Sequence, residues 1–217
     1  MTLAELDRAA GAHALTIRGA CHPEPDAVLP EGTGTVLLLG PDEPEFWSVF
    51  TASPEYGDGA ADPLDRWSKR VIGGLAQDAG GAAVFPSDGP PYPPFIAWAL
   101  ASGRCHIAPV GLLVHDRTGL FISFRGAIAL PRRLDLPDVP ETPCNSCATR
   151  PCETACPVGA LGPGGYDIPA CRAYLDTVPG QDCMTRGCAV RRACPVSQSH
   201  GRLDAQSAFH MKAFHAT

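Results

Sequence analysis

Eight of the ten cysteines in this 217-residue chain fall between Cys144 and Cys194. They run Cys144-x2-Cys147-x4-Cys152-x3-Cys156-Pro157, then Cys171 alone, then Cys183-x4-Cys188-x5-Cys194-Pro195. Thiols this close together must be tied to one another or to metal, so they dictate how the last third of the chain is organised. Two cysteine runs, each closed by Cys-Pro, are the spacing of a chain that wraps two iron–sulfur clusters. Three cysteines on one tight loop hold three corners of a cube, and the fourth corner comes from the other run. The proline then turns the chain away, because it fixes φ and has no N–H.

Applied here, that crossing-over gives two sets of four. Cys144, Cys147 and Cys152 join Cys194; Cys171, Cys183 and Cys188 join Cys156. No cysteine of the block is left over. The first run has Ala148-Thr149-Arg150-Pro151 between its second and third cysteines, where the bacterial pattern has two residues. The second run is stretched as well. These insertions leave open which cysteine serves which cluster.

Two rivals use the same thiols. A disulfide framework calls for a secreted chain, and Met1-Thr2-Leu3-Ala4-Glu5-Leu6-Asp7 has neither the basic start nor the apolar run of a signal peptide. Two four-cysteine zinc sites would also consume eight thiolates, but zinc knuckles are short cysteine pairs without a Cys-Pro closure. The expectation is therefore two 4Fe–4S clusters, kept in the reducing cytoplasm.

Hydrophobic residues make up 45% of the chain, enough for a core, yet no run approaches the ~18 apolar residues of a membrane span. The net charge of −6 repels phosphate backbones and argues against nucleic acid as a partner. The charge is uneven: residues 1–140 carry 17 acids and 10 bases, residues 141–217 carry 6 acids and 7 bases. Arg150, Arg172, Arg186, Arg191 and Arg192 sit among the cysteines. They either offset the charge of thiolate-bound clusters or are solvated loop residues.

Upstream, Thr2-Leu3-Ala4-Glu5 is a capping box opening a helix to about Ala10. His13–Arg18 alternates like a strand, and Cys21–Gly34 is broken by proline and glycine into a loop. Thr35–Gly40 is a buried strand, and Pro41–Phe50 a helix with an acidic first turn. Leu64, Trp67, Val71 and Leu75 place a helix over 62–77, followed by a short strand at Ala82–Pro86. The four prolines of Ser87–Pro94 form a connection ahead of an apolar helix over 94–101. The strongest β pattern is 110–115 and 120–124 flanking Asp116-Arg117-Thr118-Gly119, which predicts a hairpin, with Gly126–Leu130 carrying the strand onward. Pro131–Pro143 holds four prolines and reads as a boundary. The fold class is thus α+β: an antiparallel-sheet α+β domain over 1–130, a linker over 131–143, and a loop-rich, bacterial-ferredoxin-like two-cluster domain over 144–217. Residues 201–217 close it with a short helix carrying Phe209 and Phe214.

Cys156-Pro157-Val158-Gly159-Ala160-Leu161 resembles the end of a two-cluster ferredoxin run. Cys171-Arg172-Ala173-Tyr174-Leu175, followed by Cys183, Cys188 and Cys194-Pro195, is similar to the cluster domain of epoxyqueuosine reductases and reductive dehalogenases, where a lone cysteine also precedes a close trio. The 94–101 helix, the hairpin and Arg125–Leu130 resemble the stretch leading into those clusters. That resemblance implies a nitroreductase-like fold upstream that holds a cobalamin, related to cobalamin-processing proteins. The chain departs from both families. It is much shorter, no stretch matches the proton-donating aspartate motif of the reductase, and no helical-repeat tail for tRNA is found. Substrate does not carry over, and no catalytic residue is assigned.

The remaining candidates read as structure. His210 and His215 are five apart, off the i,i+4 spacing of one helical face. His106 and His115 fall near or in the hairpin. Cys21 and Cys105 lie outside the block and read as small buried hydrophobes. Trp47, Trp67 and Trp98 sit on apolar helical faces. The expected function is electron transfer through two 4Fe–4S clusters, to or from a redox partner protein, a small-molecule acceptor or a cofactor of the first domain. The alternative is a cobalamin-dependent reductase or cobalamin-processing enzyme.

Overall fold

A computed structural model describes residues 1–24, 29–162 and 164–216. Positions 25–28 of the expected loop, position 163 and the last residue lie outside the described residues. The elements in chain order are α1 (Leu3–Gly11), β1 (Leu15–Cys21), β2 (Thr35–Pro41), α2 (Glu45–Thr51), α3 (Pro54–Gly57), α4 (Pro63–Asp78), β3 (Ala82–Val84), α5 (Phe95–Ala101), β4 (Cys105–Ile107), β5 (Leu113–His115) and β6 (Gly126–Leu130). A single 3-10 turn follows at Pro151–Glu153, then β7 (Leu161–Gly162), β8 (Gly165–Tyr166), α6 (Ile168–Leu175), α7 (Gln181–Arg186), α8 (Ala189–Ala193), α9 (Pro195–Gln198) and α10 (Asp204–Ala216). Helices and small antiparallel sheets are mixed, which is an α+β fold. No described helix is long and apolar enough to cross a membrane.

The chain forms two compact units. The first comprises Met1–Cys105 with Ser123–Pro140, the second His106–Ile122 with Glu141–Thr217. The boundary expected over 131–143 is therefore not a single cut, because residues 106–122 leave the first unit and belong with the cysteines.

In the first unit β1, β2, β6 and β3 lie in that order in one antiparallel sheet. Every residue of β2 is buried, as its unbroken apolar run requires. The α4 stripe foreseen from its spacing buries Leu64, Trp67, Val71 and Leu75. Trp67 meets the Phe46 ring edge-on at 5.4 Å, an arrangement that suits the ring quadrupoles. Trp98 is buried too, whereas Trp47 is half-buried against Phe50 and Tyr56. Cys21 ends β1 instead of opening the loop, and burial pushes its thiol up to about 11. The α1 capping box forms as read: Thr2 N–H donates to Glu5 at 2.7 Å and Thr2 Oγ1 accepts from Glu5 N–H at 3.3 Å. Thr2→Ala is expected to lower the stability of this unit by about 1 kcal/mol. Denaturant unfolding followed by tryptophan fluorescence reads this unit alone, since Trp47, Trp67 and Trp98 all lie within it.

The expected hairpin over 110–124 is corrected. Only Leu113–His115 is strand, and it pairs with β4 instead. The turn itself closes: His115 and Gly119 exchange backbone hydrogen bonds, each 3.0 Å, and His115 Nδ1 accepts from Arg117 N–H at 3.0 Å. The returning arm is then captured elsewhere. Leu120 N–H donates to Ser197 Oγ at 2.9 Å, and Arg191 donates to Leu120 O. A backbone whose donor and acceptor are both taken by the cysteine-rich segment has none left for a ladder.

Candidate metal centre

Both ends of the second unit's cysteine block are shaped by backbone that only certain residues allow. Cys147 N–H turns back to Cys144 O at 3.4 Å. The four-residue insertion is absorbed by Arg150 in a left-handed conformation, φ +39°, after which Pro151 starts the 3-10 turn that carries Cys152. Cys156 is wrapped by a turn in which Gly159, φ +62°, bonds back to Cys156 O and Ala160 N–H donates to Cys156 Sγ at 3.2 Å. Cys171 lies in α6 and Cys183 in α7. Cys188 and Cys194 bracket α8, and Pro195 begins α9, so the second Cys-Pro does turn the chain into a new element.

The thiols separate into two neighbourhoods. Cys144, Cys147, Cys152 and Cys194 line one cavity of about 270 Å³. Ala108, Pro109, Val114 and Leu120 line it as well. Burial first, and then the charge each neighbour would carry, pushes the Cys144 and Cys152 thiols up; Cys147 and Cys194 act on both. Thr142 gives Cys144 a hydrogen bond that works in the opposite sense. In the second neighbourhood burial likewise raises Cys171 and Cys183. Cys188 acts on both, and Cys156 acts on Cys171.

All ten cysteines are described, and none is in a disulfide. Among the described residues no three of His, Cys, Asp or Glu converge closely enough to grip a single metal ion. Four thiolates on one zinc stand only ~3.8 Å apart, from Zn–S distances of about 2.3 Å. The donor set is soft, as iron–sulfur chemistry requires.

The arginines divide by partner. Arg150 pairs with Glu153 at 3.7 Å, Arg186 with Asp182 at 3.3 Å and Asp204 at 3.4 Å, and Arg192 with Asp182. Arg172 stacks over Phe214, 5.2 Å from the ring centre. Arg191 donates to Leu120 O and interacts electrostatically with Cys188, as Arg150, Arg172 and Arg192 do with Cys144, Cys171 and Cys183. Enclosure lowers the pKa of the Arg191 guanidinium, while Cys188 and Tyr166 act in the opposite direction. Of the histidines, His215 pairs with Asp176 at 2.9 Å, and His115 is buried in its own turn.

Several residues around the thiols carry no sequence signal. Tyr166 O–H donates to Cys171 Sγ at 3.3 Å. Gly119, φ +58°, lies so close to Cys194 that a Cβ there would be 3.0 Å from Sγ. No family model matches the chain, and neither does a curated protein or a solved structure.

Proposed function

We propose that this chain is an electron-transfer protein whose second unit holds two 4Fe–4S clusters. Cys144, Cys147, Cys152 and Cys194 would hold one, and Cys156, Cys171, Cys183 and Cys188 the other. Bound there, such clusters supply one-electron redox chemistry at potentials set by charge, burial and hydrogen bonds to sulfur. The protein's part would be to fix the thiolates and to line the first site with the apolar side chains of Ala108, Val114 and Leu120. The observation that carries this reading is the cavity ringed by four cysteines drawn from both runs.

Protein purified anaerobically is expected to be brown, with a broad visible absorption that dithionite bleaches. It should contain about eight iron and eight acid-labile sulfide per chain. About four of each would mean that one of the two sets does not assemble. Zinc without iron or sulfide would overturn the reading.

A further inference from the structure

We propose that Tyr166 sets the reduction potential of the second cluster site through its hydrogen bond to Cys171, and leaves the first site untouched. The inference rests on the two-cluster reading. Its ground is geometric. The phenol oxygen is 3.3 Å from Cys171 Sγ, and a phenol is the donor in that pair once the sulfur is a thiolate.

The ring is held in place for the task from two directions. Tyr166 lies in β8, whose pairing with β7 fixes the backbone: Leu161 is opposite Tyr166, and Gly162 opposite Gly165. On the other side the ring stacks on Phe214 of α10, with centroids 6.0 Å apart and planes 11° from parallel. Phe214 is anchored in turn by Arg172, which covers its ring and donates to its carbonyl at 3.2 Å. Arg172 directly follows Cys171. The ligand and the aromatic pair are therefore fixed in one local frame, so the hydroxyl is held at the sulfur.

A donor aimed at a ligating sulfur stabilises the state with more negative charge. The reduced site gains more from it than the oxidised site does, and the potential rises. Removing only the hydroxyl reverses this. Tyr166 is 40% exposed, so Tyr166→Phe leaves little to repack.

The test is an EPR-monitored titration with dithionite, on anaerobically prepared wild-type protein and Tyr166→Phe, with iron counted in both. The variant is expected to keep its iron and to lower one of two midpoint potentials. The expected loss is on the order of tenfold in electron affinity, about 59 mV for a one-electron couple. Phe214→Ala, which keeps the hydroxyl but frees the ring, should move the same potential the same way by less. Full iron with both potentials unmoved overturns the role of Tyr166 and leaves the electron carrier standing. Both potentials falling equally would also overturn it, as a general loosening of the unit. A wild-type protein with no reducible cluster removes the underlying reading instead.

Discussion

Cys152→Ser is expected to strip the iron of one site and to unfold the second unit, while the first unit stays intact. The expectation follows from how little else holds the second unit together. One buried cluster of that unit is Ala108, Val110, Val114, Leu120, Leu161 and Val190, with Cys152 and Cys194 among them, and Ile122, Ala160 and Leu175 are buried besides. Large aromatic side chains are missing from that cluster, and Leu120 and Leu161 are its bulkiest members. A core of this size rarely supplies more than about 3–5 kcal/mol. A structural metal site contributes on the order of 10 kcal/mol to folding. Removing one ligand therefore takes away more than the apolar core can replace. Iron should fall to about half or less, and limited proteolysis should cut within residues 141–217 while tryptophan fluorescence keeps its wild-type unfolding curve. Iron at the wild-type level with an unchanged cleavage pattern would take Cys152 out of the ligand set.

What could be read ahead of the structure was whatever depends on near neighbours. The α4 stripe at Leu64, Trp67, Val71 and Leu75 and the continuous apolar run of β2 each state their own burial, because helix and strand periods are local. The Thr2 capping box involves only four residues. The hairpin misreading has the opposite cause. Its turn was legible in Asp116–Gly119, but the fate of Leu120 is decided by Ser197 and Arg191, more than seventy positions along the chain for each hydrogen bond. No period within 110–124 encodes that capture.

The same division applies to the thiols. Their number and their Cys-Pro closures are in the sequence, and so is the insertion after Cys147. That Arg150 absorbs the insertion by a left-handed turn is visible only in the fold. So is the cavity wall that residues 108–120 provide, since those residues read as part of another domain. Tyr166 stayed hidden for a chemical reason. A donor to sulfur can be tyrosine, threonine or a backbone N–H, so no residue pattern marks it.

Gly119→Ala should empty the first site without removing any thiol. At φ +58° an alanine is already strained, which costs about 1–2 kcal/mol. Its Cβ would also stand 2.6 Å from both the backbone N and the Oγ of Ser197, and 3.0 Å from Cys194 Sγ. Ser197 N belongs to the first turns of α9, which starts directly after Cys194, so relief requires moving that helix together with the ligand. Overpacking of this kind costs about 1–3 kcal/mol more. The combined effect, roughly 3 kcal/mol, falls on the wall of the cavity and on one of its four thiols. Iron per chain should drop toward half and the thermal midpoint of the second unit should fall, both measured anaerobically. Gly119→Asn separates the two causes, because asparagine tolerates positive φ but carries the same Cβ. If Asn is as damaging as Ala, the contact with Ser197 and Cys194 decides the outcome. If Asn restores the iron, backbone strain does. Wild-type iron and an unchanged midpoint in Gly119→Ala would show that the 115–120 turn does not press on Cys194, and the cavity would lose that wall.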